Sequence, residues 1–241
     1  MTLRGGAITI GALLWDDENE ERKEWRDNHL RYKDRFQVYL PIRYGRCSKT
    51  RKCTYTMVFS NECYSEANGL GTGWILPIGA EIRSFKRLKV EAREMGKAEG
   101  FSDGFSSDWG SVALLLNPNK EIESSIRTKW AGLMSSKISN YSLLEHWKSE
   151  QPPIESNGFL TIEWPEEVTP KDKVERLDFL IATVTVPTLC KGEYPTVDRI
   201  VDAMKRAKYC EYFCRNREYE ITTFQDERIL ALIPKSDPQP P

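Results

Sequence analysis

The residues best suited to chemistry in this sequence lie in two short glycine-containing motifs, one near the N-terminus and one near residue 100. In the first, Gly11 and the small Ala12 interrupt an apolar run, where exposed backbone N–H groups can hold a carbonyl oxygen or a carboxylate. In the second, Glu99 precedes Gly100 at a predicted helix end beside Phe101. Burial there would raise the pKa of the Glu99 carboxyl toward the range of a general base. Each motif also has a plain structural interpretation, as a strand end that must bend and as a solvated helix end.

A basic loop between two predicted strands is the third candidate. It carries five cations, with Tyr44 among them: Arg43, Arg46, Lys49, Arg51 and Lys52. Such a loop can bind a phosphate, a carboxylate-bearing substrate or single-stranded nucleic acid, and it can also be a solvated loop. The chain has 35 Lys and Arg against 36 Asp and Glu, so its net charge of −1 creates no overall field for nucleic acid. Nucleic-acid binding is therefore disfavoured.

Other reactive residue types form no recognisable motif. The two histidines, His29 and His146, have no nucleophile motif beside them. The six cysteines include no C-x-x-C pair, so we expect free thiols and no metal site. The segment Ser106–Gly110 fits either a substrate-facing loop or a tight turn into the apolar run that follows, and its composition favours the turn.

The elements that must position these residues can be predicted from hydrophobic periodicity. A charged stretch over 16–36 without Gly or Pro predicts a helix, and apolar residues at helical spacing predict another from Phe85 to Glu99. A clean apolar stripe after Thr196 predicts a third helix, and residues 121–147 have a helix-like register. Runs rich in β-branched, aromatic or aliphatic residues predict a strand that starts at Ile8 and ends at the Gly11 turn. They predict further strands over 37–45, 54–60, 72–79, 111–118, 159–164 and 177–187.

These elements predict an α+β fold with a mixed, barrel-like β-sheet and flanking helices, because strands and helices alternate too irregularly for a doubly wound sheet. We expect one domain over residues 1–234 and a disordered, proline-rich tail over residues 235–241. No apolar run approaches the roughly 20 residues that span a bilayer, and the N-terminus meets an acidic segment instead of a cleavage site. We therefore expect no membrane association and a cytoplasmic location.

The order of these features resembles the gamma-glutamylcyclotransferase-like superfamily. In that family a Tyr-Gly-Ser turn near the N-terminus supplies backbone donors, and a glutamate in a Glu-Gly step after a short helix is the acid–base residue. The matching positions here are Ile10-Gly11-Ala12 and Glu99-Gly100, followed by Tyr194 before an amphipathic helix. The resemblance extends over residues 8–205 as a pattern of elements, and it implies the family's small barrel with surrounding helices.

The resemblance also implies an activity, in which the α-amine of a γ-glutamyl amine or related small amide attacks its own side-chain amide to release 5-oxoproline. It implies Glu99 as the catalytic acid–base residue and no metal or cofactor. Substrate-binding residues would be the following: Gly11, Ala12, Leu13, Gly100 and Tyr194. Ile10 and Ala12 replace the family's tyrosine and serine, so two alternatives stay open. One is a non-catalytic binding protein of the same fold, and the other is nucleic-acid binding through the loop 43–52. The oligomeric state is left open.

Overall fold

A computed structural model describes residues 2–147 and 151–233, which form a mixed α+β structure. The described strands are β1 (Gly5–Thr9), β2 (Phe36–Leu40), β3 (Ile42–Ser48), β4 (Thr54–Phe59), β5 (Gly71–Pro77), β6 (Ser106–Ser107), β7 (Gly110–Leu116) and β8 (Phe179–Thr185). The described α-helices are α1 (Ala12–Trp15), α2 (Glu20–His29), α3 (Phe85–Glu99), α4 (Ser124–Asn140), α5 (Val197–Ala207), α6 (Glu211–Glu218) and α7 (Asp226–Leu232).

The main sheet has six strands in the order β2-β5-β1-β8-β7-β6. Strands β1 and β8 pair in parallel, and the other neighbours pair antiparallel, so the predicted mixed sheet is confirmed. The sheet is open, which corrects the barrel-like expectation. Strands β3 and β4 pair with each other as a separate hairpin. In the described chain they therefore do not join the two edges of the main sheet.

Helix α3 carries Glu99 and has the amphipathic pattern that its sequence predicts. Ser84 caps its start by accepting a hydrogen bond from the Arg87 N–H, and its apolar face buries Leu88, Ala92 and Met95. This face contacts β7 and β8. Gly100 ends the helix with a φ of 94°, a left-handed conformation that favours glycine. The end of α3 therefore places Glu99 beside β8.

The helix predicted over residues 16–36 is shorter than its charge pattern suggests. Asn19 caps α2 by accepting a hydrogen bond from the Arg22 N–H, so residues before it stay outside the helix. The helix ends at His29 because Leu30 takes extended geometry and bridges Ile78 next to β5. Tertiary pairing thus overrides the uninterrupted helical pattern.

The strand predicted over residues 159–164 is absent from the described structure, and that prediction was wrong. Only single bridges form, from Phe159 to Leu114 and from Leu160 to Ile154. Gly158, with a φ of 81°, turns the chain just before this stretch. Pro165, which lacks a donor, follows it. The stretch therefore pairs with β7 at a single position and does not continue along that strand.

One hydrophobic cluster connects the described elements, from Leu3 to Ile229, and includes the fully buried Trp130 of α4. The predicted tail at 235–241 lies outside the described residues. Within residues 2–147 and 151–233, no helix has the length and apolar character needed to cross a bilayer.

Asp226 at the start of α7 is a buried carboxylate that should make stability depend on pH. Its Oδ1 accepts hydrogen bonds from the Thr223 N–H and hydroxyl, but burial raises the pKa of the carboxyl from 3.8 to about 6. The folded state therefore binds a proton at Asp226 more tightly than the unfolded state. The stability that this proton adds is lost as the pH rises from about 4 to 6. We expect Asp226→Asn to be more stable than the wild type at pH 7 by on the order of 2 kcal/mol.

Urea unfolding of both proteins at pH 4 and pH 7 measures this difference. An advantage for Asp226→Asn that does not grow with pH would contradict the prediction.

Candidate functional site

A cavity of about 470 Å3 lies where β1 meets the short helix α1. Its walls come from the Gly11 turn, the end of α3, the β3–β4 hairpin, β8 and α6. Gly11 and Glu99, which are far apart in the sequence, both line this cavity. The two glycine-containing motifs of the sequence therefore meet in one chamber, which we call the first chamber.

Gly11 is required by close packing and not by a left-handed backbone. Its φ is 175°, an extended value. A Cβ at this position would lie 2.5 Å from the Tyr212 hydroxyl oxygen, far inside contact distance. Tyr212 is held in turn by a ring contact with Trp15, and its hydroxyl accepts a long hydrogen bond, 3.3 Å, from the Met57 N–H. The turn thus needs glycine so that α6 can pack against it.

The backbone after β1 presents donors to the first chamber. Within the described residues, the N–H groups of Gly11, Ala12 and Leu13 have no protein acceptor, because α1 begins here and its first N–H groups have no preceding turn. All three residues line the chamber. They can donate hydrogen bonds to a carbonyl oxygen or carboxylate of a ligand.

Glu99 is half-buried at the end of α3. Burial raises the pKa of its carboxyl, while Arg22, Arg46 and Arg51 oppose that rise because they stabilise the ionised form. A hydrogen bond with Thr183 on β8 also favours the ionised carboxylate. Burial is the largest of these effects, so the carboxyl binds a proton more readily than an exposed glutamate does.

Three arginines make the first chamber electropositive. The charged side chains that line it are Arg22, Arg46 and Arg51, with Asp16 and Glu99 as the carboxylates. Arg22 pairs with Asp16 at 2.6 Å, and Arg51 lies 4.0 Å from the same carboxylate. One guanidinium charge is therefore in excess when both carboxylates are ionised. Such a chamber attracts an anionic group of a ligand, and a carboxylate suits the fork geometry of arginine.

Aromatic rings fix the arginines of the β3–β4 hairpin in place. The Arg51 guanidinium lies 4.7 Å from the Tyr212 ring centroid and 5.4 Å from that of Trp15. The Arg46 guanidinium lies 4.3 Å from the Trp109 ring centroid, and burial lowers its pKa. Stacking of this kind limits the freedom of long side chains, so less entropy is lost when a ligand binds.

The basic loop predicted from the sequence divides into three groups. Arg46 and Arg51 line the first chamber. Arg43 turns away, stacks 4.3 Å from the Tyr194 ring centroid and pairs with Glu62 at 3.0 Å. The other two cations, at positions 49 and 52, are exposed. Two of the five cations of the loop therefore form part of the wall of the first chamber.

Two residues expected in the site lie elsewhere. Gly100 closes α3 and is exposed, and a Cβ there would meet no atom within 4 Å. Tyr194 packs against Gly45 and Arg43, on the outer side of the β3–β4 hairpin. Neither residue lines the first chamber.

Several chamber residues were missed by the sequence analysis. Among them are Asp16, Arg22, Thr183 and Tyr212. Arg22 lies in a run of charges that reads as a solvated helix face, and Thr183 lies within a strand that reads as core. Trp109 and Asp108 form a two-residue turn between β6 and β7, as the tight-turn interpretation of Ser106–Gly110 predicts. The Trp109 side chain also lines the first chamber. No local pattern distinguishes these residues from structural ones.

Thr183 should tune the protonation of Glu99. Thr183→Val keeps the shape of the side chain but removes the hydroxyl that favours the ionised carboxylate, so the pKa of the Glu99 carboxyl should rise further. An activity that needs ionised Glu99 should then begin to fall at a higher pH when the solution is acidified. The pH dependence of kcat/KM measures this shift, with Thr185→Val as a control that removes another hydroxyl from the same chamber. Identical acid limbs for Thr183→Val and the wild type would contradict the assignment.

In residues 2–147 and 151–233, no group of three or more His, Cys, Asp and Glu side chains is arranged to hold a metal ion. Comparison of the chain with protein-family models, curated proteins and solved structures finds no match. The function must therefore be inferred from the geometry of this chain.

Proposed function

We propose that the chain is a cyclotransferase-like enzyme that acts on a γ-glutamyl amine or a related small amide and releases 5-oxoproline. The observation that carries this proposal is the meeting of Glu99 and the Gly11 turn in one chamber. Together they offer a carboxyl of raised pKa and a set of unpaired backbone donors. We further propose that the open mixed sheet is a divergent form of the gamma-glutamylcyclotransferase-like fold.

Binding would use the two kinds of donor in the first chamber. The excess guanidinium charge of Arg22, Arg46 and Arg51 attracts the α-carboxylate of the glutamyl group. The N–H groups at Gly11–Leu13 hold the γ-carbonyl oxygen and stabilise the negative charge that develops on it during attack. This arrangement places the α-amine and the γ-carbon of one substrate close to each other and to Glu99.

The chemical step needs only the substrate and Glu99. The ionised carboxylate removes a proton from the α-ammonium group, and the freed amine attacks the γ-carbonyl carbon to form a C–N bond. The bond from that carbon to the departing nitrogen then breaks as Glu99 returns the proton to this nitrogen. The ring nitrogen gives up its second extra proton to Glu99, which passes it to the free amine, so the amine leaves as an ammonium ion. The products are 5-oxoproline and a free amine, with no change of oxidation state.

The raised pKa of Glu99 suits both halves of this cycle. A carboxyl with an ordinary pKa is a weak base toward an ammonium group, whereas burial makes Glu99 a better proton acceptor. The nearby arginines limit this rise, so the residue can still ionise. Among the described residues no cysteine forms a disulfide bond, which fits the proposed cytoplasmic location.

A non-catalytic binding protein with the same chamber is the second candidate. Ile10 and Ala12 both line the chamber and give it apolar surface where the family has a tyrosine and a serine. The third possibility, nucleic-acid binding through residues 43–52, has less support. Within that loop only Lys49, Thr50 and Lys52 are exposed, and two of the arginines are turned into the chamber.

Incubation of the purified chain with γ-glutamyl amides tests the proposal. We expect 5-oxoproline and free amine to appear in equal amounts, measured by mass spectrometry. Tight binding of the amide without product would establish the binding protein instead. Binding of single-stranded oligonucleotides that weakens steeply with salt would favour the third possibility.

A further inference from the structure

A second cavity, of about 580 Å3, adjoins the first and is not used by the proposed reaction. We call it the second chamber. Arg46, Ser48, Thr50 and Trp109 line both chambers, so these residues form a shared wall. A glutamyl group alone would leave the second chamber empty, since ligand pockets of roughly 300 to 1,000 Å3 accommodate drug-sized molecules.

The shared wall lies close to Glu99, the residue that protonates the leaving amine in the proposed reaction. The charge of Glu99 acts on Arg46, and Arg46 stacks on Trp109, so the proton donor and the wall are neighbours. In the proposed reaction Glu99 protonates the leaving nitrogen. The substituent on that nitrogen therefore extends past Arg46 and Trp109 into the second chamber.

The second chamber has an apolar lining and a charged rim. Trp109, Val186, Pro187 and Leu189 lie in its walls, and each is buried or half-buried. The charged residues around it are of both signs, and apart from the half-buried Arg46 of the shared wall they are exposed: Lys49, Lys191, Asp108 and Glu145. Exposed charges of mixed sign contribute little net attraction for an ion, whereas an apolar wall gains from every apolar atom that displaces water.

We propose that the second chamber binds an apolar substituent of the leaving amine, such as an aromatic ring or an alkyl chain. This inference deepens the proposed function and rests on it for the position of the amine. The preferred substrates are then γ-glutamyl amides of bulky apolar amines, with the Trp109 ring against the substituent.

A matched pair of substrates tests this inference. L-Glutamic acid γ-benzylamide and γ-methylamide share the glutamyl group and differ in the part assigned to the second chamber. We expect the wild type to turn over the benzylamide with a kcat/KM at least about tenfold higher, because burial of a phenyl ring stabilises its complex. Leu189→Asp should remove most of this preference, whereas Leu70→Asp, an exposed leucine outside the chambers, should preserve it. Equal kcat/KM values for the two amides in the wild type would overturn the inference, as would an unchanged preference in Leu189→Asp.

Calorimetric binding to the Glu99→Gln protein separates this inference from the proposed function. If the wild type releases 5-oxoproline from neither amide but the Glu99→Gln protein binds the benzylamide about tenfold more tightly than the methylamide, the second chamber is established and the proposed reaction fails. If 5-oxoproline is released and both amides bind equally, the reaction stands and the inference about the second chamber is wrong.

Discussion

Glu99→Gln is expected to lower 5-oxoproline release by about 100-fold to 10,000-fold while leaving the fold intact. Glutamine has nearly the same shape as glutamate but cannot accept the proton of the α-ammonium or return it to the leaving amine. The substrate should still bind, because the arginines and the Gly11 turn are unchanged. The loss should therefore fall on kcat, with a much smaller change in KM.

Glu94→Gln on the same helix is the matched control. Glu94 pairs with Lys97 at 2.8 Å near the surface and does not line either chamber. We expect wild-type kinetics from this variant, and thermal unfolding midpoints within a few degrees of the wild type for both proteins. Retention of more than about a tenth of wild-type kcat by Glu99→Gln would contradict the assignment of Glu99 as acid–base residue.

Gly11→Ala should lower kcat/KM by about 100-fold. The new Cβ would lie 2.5 Å from the Tyr212 hydroxyl, whereas ordinary contact begins at 3.4 Å, so the turn and α6 must separate by nearly 1 Å. This shift displaces the backbone donors from the position of the γ-carbonyl oxygen, and displacements of about 1 Å can cost about 100-fold in rate. Steady-state kinetics with the γ-benzylamide measures the loss.

Tyr212→Phe in the Gly11→Ala background tests whether this contact is the cause. Removal of the hydroxyl leaves the ring carbons 3.3 to 3.4 Å from the added Cβ, which small adjustments can accommodate. The double variant should therefore recover to within about threefold of Tyr212→Phe alone, a strong positive coupling between the two positions. Additive losses in the double variant would show that Gly11 does not act through Tyr212.

The sequence predicts the elements whose patterns are local and fails where pairing at a distance decides. Helices α3 and α5 follow their apolar stripes, and Thr196 caps α5 as its position suggests. The order of the open sheet could not be predicted, because β1 pairs with β5 and β8, two strands that are far from it in the sequence. The segment at 159–164 has strand-like composition but finds only single bridges.

The candidate site divides in the same way. Gly11 and Glu99 could be selected as candidates because glycine at a strand end leaves backbone N–H groups accessible and a glutamate beside a helix-ending glycine can face a cleft. Both motifs also have a plain structural interpretation. Arg22 and Thr183 could not be selected, since a surface helix and a buried strand use the same residue types for structural reasons. Tyr194 shows the converse, a residue placed in the site by resemblance that the structure puts on the outer side of the β3–β4 hairpin.

A crystal structure of the Glu99→Gln protein with γ-glutamyl benzylamide tests the central claim most directly. The account predicts the γ-carbonyl oxygen within about 3.2 Å of a backbone nitrogen at Gly11–Leu13, which is hydrogen-bond distance. It also predicts the α-amine beside residue 99 and the phenyl ring against Trp109. A ligand bound outside the first chamber, or bound there with its γ-carbonyl turned away from the Gly11 turn, would contradict the account.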